Sequence, residues 1–401
     1  MSRDPQENTN TDESASGGRP LSVLQIVTCR GWSSDAWAAV NLCLGLQEEG
    51  HRVLLLCRDV ERGHAVAERA RSEGVKEVGF IEASNYFHPA SYFRDIGFLR
   101  GLVRERSLDA VHVHRGVEHW IAAAAWLIGD SPVVVRSRHI FSDVRRNAFN
   151  RWLYRFGTDR TVAVCDKIRQ AYLEGGAFPP DRFTTVMGGV DAAAYDPSSD
   201  GVSFRREWGI PPEAWVVGAA GSLRMWMKGQ DVLLRAVARM SSGGADAPWA
   251  LLIGKGEDMD KLKSLADELG IFDRTVITGY LENLSEALTA CNALAFPSMR
   301  SEGTSRVLFD CLAAGRPVVA SRVGCADEIV RDGREGMLVP PGDDAALAGV
   351  LSTLRLDPGR AKAMGVSARL RAENEFDRRV VARETVKIYR EAARNRRVVA
   401  A

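Results

Sequence analysis

Short apolar runs alternate with longer stretches of helical spacing along almost the whole chain. "LSVLQIVT" is the first run, and "AWAAVNLCLGLQEEGH" follows with apolar residues three and four apart until Gly50. "RVLLLC", "LDAVHVH", "PVVVRSR" and "DRTVAVC" read as further strands, with "WIAAAAWLI" as a helix among them. The rhythm restarts at "WVVGAAG" and runs through "GQDVLLRAVARM", "WALLIG", "DMDKLKSLADELG", "TVITGY", "LSEALTAC", "ALAFPS" and "PVVAS". Strands alternating with helices predict parallel sheets covered on both faces. Between the two series lies "MGGVDAAAYDPSSDG", residues 187–201, rich in Gly, Asp, Pro and Ser, which reads as a linker.

The predicted architecture is therefore α/β, with two doubly wound, Rossmann-like domains facing a central cleft. Residues 1–19 are polar and glycine-rich and read as a disordered tail. Residues 20–190 form the first domain and 200–376 the second. A last helix, within 377–401, is expected to pack back on the first domain. In such folds ligands bind at the C-terminal ends of the strands, which here lie on either side of the cleft.

Composition narrows the class. The chain has 401 residues, 45% of them hydrophobic, enough for two cores, and a net charge of +1. With a pI of about 7.6, no global field points to nucleic acid. Seven scattered cysteines without a CxxC pair suit reduced thiols in a cytosolic protein. No stretch is long and apolar enough for a membrane span, and no apolar segment opens the chain as a secretory signal. The expected location is cytoplasmic.

Four stretches carry candidate chemistry. In "SMRSEGTSRVLFDCLAAGRPVVAS", a loop with Glu302 leads into a helix, and the N–H groups of Gly303, Thr304 and Ser305 make an anion site at its start. Glu302 and Asp310 flank it as carboxylates able to hold sugar and ribose hydroxyls. The plainer reading makes Glu302 a helix-start charge and pairs Asp310 with Arg306 at i,i+4. In "GSLRMWMKGQDVLL", Arg224 and Lys228 offer two cations to a diphosphate; otherwise they belong to a solvated turn. "DAVHVHRG" puts His112 and His114 on one face of a strand end, without the acidic or thiol ligands that would make a convincing metal site. "TCRGWSSDAW" places Gly31 and Trp32 after the first strand and lacks GxGxxG.

On these stretches, with "GVDAAAYDP" and "GREGMLVPPGDDAALAGVL", the chain resembles the retaining GT-B glycosyltransferases of family 4, the group 1 glycosyltransferases, over about residues 21–398. The resemblance implies transfer of a sugar from a nucleotide diphosphate sugar with retention of configuration, without a metal or other cofactor. It implies that Arg224 and Lys228 neutralise the diphosphate and that Glu302 contacts the donor sugar. The amides of Thr304 and Ser305 would contact sugar or phosphate, Asp310 the ribose, His114 the reaction centre, and Gly31 donor and acceptor. The acceptor expected is a glycan, glycolipid or small molecule, in cell-envelope polysaccharide or lipopolysaccharide synthesis. Two departures stand out: Asp310 where the family has Glu, and Trp32 where a second glycine is common, which would narrow the acceptor site or stack on its occupant.

A further stretch, "RSRHIFSDVRRNAFNRWLYRFGTDR", holds seven arginines against two aspartates, with aromatic residues between them. It reads either as a face for an anionic membrane or a phosphorylated glycan, or as an ordinary helix with Trp152, Leu153 and Phe156 in the core. The rivals to a transferase are a nucleotide-sugar epimerase or hydrolase on the same fold, and a non-catalytic nucleotide-sugar binding protein.

Overall fold

Two parallel sheets organise the chain, each built from strands too apolar to face water. The structure is a computed structural model that describes residues 18–83, 88–126, 132–140, 146–199, 201–241, 247–300, 303 and 305–400. The first sheet contains β1 (Ser22–Val27), β2 (Arg52–Arg58), β3 (Glu77–Ile81), β4 (Ala110–Val113), β5 (Val133–Arg138), β6 (Arg160–Ala163) and β7 (Phe183–Thr185). Its spatial order is β3-β2-β1-β4-β5-β6-β7. The second contains β8 (Val216–Ala220), β9 (Trp249–Ile253), β10 (Thr275–Ile277), β11 (Ala293–Phe296), β12 (Val318–Ser321) and β13 (Gly336–Val339), in the order β10-β9-β8-β11-β12-β13. Each order reverses between its first and fourth strands. That reversal opens a crevice at the strand C-termini, where ligands bind in folds of this kind.

Two chain segments cross between the domains, and they bind each other. After β7 the chain passes Gly189 and Val190, whose N–H groups both donate to Phe376 O, at 2.8 and 3.1 Å. In return Arg378 N donates to Val190 O at 2.8 Å. The final helix, Arg378–Ala400, then lies against the first helix, Ser34–Glu48. Ala382, Val386, Ile388, Tyr389 and Ala392 enter the core shared by β1, β2 and the first helix. Arg378 pairs with Glu48, Arg383 with Glu49 at 2.9 Å, and Arg396 Nε with Asp159 at 2.6 Å.

The expectation of reduced thiols throughout is corrected at one pair. Cys165, just after β6, is disulfide-bonded to Cys325, just after β12. The two lie 160 residues apart in sequence, and only the facing of the two domains brings them together. The other five cysteines are free and buried. The placing of Trp152 and Phe156 in the core is corrected as well. The helix Ala148–Phe156 buries Leu153 and Tyr154, but Phe149, Trp152 and Phe156 are 76, 36 and 68% exposed. Among the described residues no helix is long and apolar enough to cross a membrane.

Candidate active site

The strand ends of the first domain carry a buried chain of polar rings. In the parallel register Gln25 of β1 lies opposite His112 of β4, and His112 opposite Val135 of β5. Side chains two further along share that face, so His114 and Ser137 follow, with His139 just past the strand. His114 Nε2 lies 2.8 Å from Gln25 Oε1, and His114 Nδ1 lies 2.9 Å from His139 Nε2. His112 bridges Tyr389 OH at 2.7 Å and Ser137 Oγ at 2.8 Å, while Gln25 Nε2 donates to Tyr389 OH at 3.1 Å. One assignment satisfies all five of these contacts. His114 donates through Nε2 to the amide oxygen and accepts at Nδ1 from His139, and Tyr389 donates to His112.

All three imidazoles are held neutral. Burial lowers His112 to about 3 and His139 to about 4, and lowers His114 well below its usual value. His112 and His114 also suffer from neighbouring cationic groups. The turn after β4 is fixed by Glu118, whose carboxylate accepts from His114 N at 2.8 Å, Arg115 N at 2.6 Å and the Thr28 hydroxyl. Burial raises the Glu118 carboxyl despite the nearby Arg136 charge.

His114 therefore takes an inner place, with both ring nitrogens occupied, and His139 stands between it and the second domain. The backbone after His139 touches the Gly303 loop directly: Ile140 and Gly303 form an antiparallel bridge across the cleft. A Cβ on Gly303 would come within 2.0 Å of His139 O, so only glycine permits this approach. His139 was missed from sequence because it is a single histidine in an arginine-rich run. Its signal was its place at the end of the strand next to β4.

The second domain brings its two candidate loops together. After β8 the chain passes Arg224 into the short helix Met225–Lys228, whose start is capped by Asp258 Oδ2 accepting from Met225 N at 2.9 Å. Gly229 (φ +64°) then turns it, and a Cβ there would lie 2.1 Å from Pro297 O. Met299 N donates to Met227 O at 2.9 Å. Lys228 is thus stapled against the loop that leaves β11 towards the helix Arg306–Ala313, with Nζ 6.0 Å from the Phe296 ring centre. Arg224 is half-exposed and 3.7 Å from Glu257.

Ser305 is the N-cap of the Arg306–Ala313 helix and makes no side-chain bond to it. Glu302 and Thr304 lie outside the described residues. Asp310 is buried, with Arg306 Nε at 3.2 Å and the Tyr195 hydroxyl as a second partner. Burial raises the Asp310 carboxyl, opposed by Arg306. Its carboxylate is thus already engaged by Arg306 in this conformation. Arg306 also stacks over Trp37, 5.6 Å from the ring centre.

Gly31 has open space where a side chain would be, and Trp32 packs between the two domains against both cores. Arg69 lies over the Trp32 ring at 5.7 Å, donates to Glu73 at 2.7 Å, and reaches across the cleft to Glu282 at 2.6 Å. Among the described residues one group of three metal-ligating side chains occurs, Cys165, Cys325 and Glu328. Its sulfurs are bonded to each other, and the Glu328 oxygens accept from Asp166 N and Lys167 N at 2.6 and 2.9 Å. With the sulfurs joined, the pair offers no thiolate to an ion.

Known proteins resemble the chain in both halves. Residues 36–194 match the family described as Glycosyltransferase Family 4, and 214–357 match Glycosyl transferases group 1. A D-inositol 3-phosphate glycosyltransferase of Stackebrandtia nassauensis is 30% identical over 299 residues, 66% of each chain. One of Corynebacterium jeikeium is 30% identical over 285 residues, 65% of this chain and 67% of the relative. The match thus spans about two thirds of these relatives' own length. Among solved structures, a glycosyltransferase of Rickettsia africae superposes with a TM-score of 0.81 at 18% identity, covering 94% of this chain and 100% of its own. The Anabaena protein HepE in complex with UDP gives 0.75 at 19% identity, covering 92 and 99%. These likenesses show the GT-B fold.

Proposed function

From a chain that belongs to the group 1, family 4 glycosyltransferases, we propose an enzyme that moves a sugar from a nucleoside diphosphate sugar to a hydroxyl group, with retention at the anomeric carbon. The observation that carries this is the meeting at Gly303. There the loop leading to a helix N-terminus touches the His139 strand end of the other domain, beside the Lys228 loop. Lys228 and Arg224 face the diphosphate and stabilise the charge that develops as it leaves. Glu302 and the amides of Gly303, Thr304 and Ser305 hold the sugar and phosphate. Asp310 holds the ribose beside its partner Arg306, sharing the carboxylate between them. The donor base is uracil by analogy with HepE, which is described with UDP.

The acceptor enters beside Gly31 and Trp32. Arg30, Arg58, Arg115 and Arg138 stand at or just past the ends of the neighbouring strands β1, β2, β4 and β5. Although Arg58 is buried and Arg115 pairs with Asp35 at 3.3 Å, the excess of positive charge favours an anionic acceptor, in keeping with relatives named for inositol 3-phosphate. A second reading, peripheral contact with an anionic bilayer, is favoured by the exposed Phe149, Trp152 and Phe156 beside Arg151 and Arg155. It would place the enzyme on the inner face of the membrane within reach of a glycolipid.

A panel of nucleotide sugars and phosphorylated polyols, followed by NMR of the product's anomeric proton, tests the reading. A product with the donor's configuration is expected with a UDP-sugar. Epimerised or hydrolysed donor without acceptor, or binding without turnover, would replace this reading with one of its rivals. Because Lys228, Arg224 and a helix N-terminus do a metal's electrostatic work, full activity in excess EDTA is expected. Loss of activity restored by Mg²⁺ would refute that.

A further inference from the structure

The sulfurs of Cys165 and Cys325 meet past the C-terminal ends of β6 and β12, and the pair joins the two domains covalently. Cys165 is the N-cap of the helix Asp166–Leu173 in the first domain, and Cys325 follows β12 in the second. Both are buried, at 0 and 1% exposure. Weaker links surround them. Glu328 of the second domain accepts from Asp166 N and Lys167 N, and Lys167 Nζ donates to Gly324 O at 2.9 Å and to Asp327 at 2.6 Å. Arg69 and Glu282 make the matching contact at the opposite end of the cleft, beyond β2 and β10.

We propose that Cys165 and Cys325 form a site of reversible thiol oxidation, at which a small-molecule disulfide locks the two domains closed and stops turnover. Other contacts surround the bond on both sides. Tyr154, Tyr172, Phe178 and Phe183 form their own cluster around Cys165, and the Glu328 and Lys167 contacts hold the two sulfurs close whether or not they are joined. The chemistry is thiol–disulfide exchange. One cysteine thiolate attacks the small disulfide and expels a thiolate. The second cysteine, deprotonated, attacks the resulting mixed disulfide and expels the other. Two cysteine thiols are oxidised, one small disulfide is reduced to two thiols, and the protons end on the released thiols.

Closing by ionic contacts alone is easily undone. Lys167 and Asp327 are partly exposed, and such pairs are weak. Donor must enter and nucleoside diphosphate must leave between the domains, and steps of this kind set many turnover rates. A covalent tie removes the opening. Because the thiols are buried in the closed form, the oxidant meets them when the cleft is open, and the product is the locked form.

The turnover part of this inference rests on the proposed function; the lock itself does not. The test treats reduced, full-length protein with glutathione disulfide. It follows nucleoside diphosphate release, non-reducing peptide masses, and amide hydrogen exchange at residues 303 and 305–310. The expected result is a Cys165–Cys325 linked peptide that appears as turnover falls tenfold or more and exchange slows, all reversed by dithiothreitol. Cys165→Ser and Cys325→Ser each go no further than a mixed disulfide with glutathione, and each is expected to keep the reduced rate and unslowed exchange with the oxidant present. No linked peptide, a linked peptide with unchanged exchange, or equal inactivation of the serine variants overturns the proposal. If no nucleotide sugar turns over in any redox state, the glycosyltransferase reading fails, while peptide mapping and exchange still decide the lock.

Discussion

Replacing Lys228 by methionine removes a charge while keeping the stem that lies near Phe296. Lys228 is half-buried on a helix pinned by Met299 and Gly229, so its ammonium cannot be replaced by a mobile neighbour. A unit charge about 4 Å from the charge developing on the leaving diphosphate, at an effective dielectric constant of about 20, is worth about 4 kcal/mol. Part of that is already spent on the ground state, since the donor's diphosphate is charged before it leaves. The remainder gives a loss of about 10²-fold in kcat, the scale seen when one preorganised stabiliser is removed. Arg224 differs: its side chain is 50% exposed and close to Glu257, so water and a carboxylate screen it. Arg224→Met is therefore expected to cost about tenfold less than Lys228→Met. The assay is nucleoside diphosphate release at saturating donor, with the melting temperature as control, since neither side chain belongs to a core. A Lys228→Met enzyme within threefold of wild type, or an Arg224 variant equally impaired, would refute the reasoning.

Asp310→Ala leaves Arg306 and the Tyr195 hydroxyl without their buried acceptor. A loss of about 2–3 kcal/mol is expected, read as a drop of several degrees in melting temperature, and an unchanged temperature would show the carboxylate holds neither. Burial depresses His112, His114, His119 and His139 below the unfolded value near 6.5. Below that pH the unfolded chain takes up protons that the folded chain refuses, so stability is lost as pH falls from about 6.5 towards 4. Each histidine contributes at most about 1.4 kcal/mol per pH unit. His119→Gln, remote from the cleft and bonded to Thr158 at 2.7 Å, should lower that slope by up to one such increment in denaturant titrations, and an unaltered slope would mean His119 is protonated in the fold. For the contact across the cleft, Arg69→Glu and Glu282→Arg are each expected to raise the acceptor KM. The double exchange should recover part of the loss; absence of recovery would place Glu282 outside the closed state.

The central strands were legible because both their faces are covered, which makes their sequences nearly continuous apolar runs. The unread strands, β3, β7 and β13, are all at sheet edges, short and half-covered, so they lack that signal. The candidate loops at Arg224, Lys228 and Gly303 drew notice through residue type alone, cations and a glycine before a helix. The partnership of His114 with His139 did not, because it depends on the β4–β5 register, which no local pattern encodes. Asp310 was ambiguous for a related reason. Its spacing from Arg306 is visible in the sequence, but Tyr195 arrives from the linker. The same holds for the Cys165–Cys325 pair, and for Phe149 and Phe156, whose exposure follows from where the helix Ala148–Phe156 sits and not from its composition.

The final helix fixes an order of events in synthesis. Tyr389 closes the polar chain of Gln25 and His112, and its neighbours complete the core of a domain whose other residues are nearly all made before position 190. On the ribosome that domain must wait, with the flank of its first helix bare, while roughly two hundred more residues are added, about 10–40 s at ordinary rates of synthesis. The second domain has no such debt and can fold first although it is made second. A fragment ended at the linker would stay in the waiting state, with the Gly45 face of the first helix, which otherwise meets Arg378 and Ala382, left uncovered, and would need a chaperone or the missing helix supplied as a separate peptide.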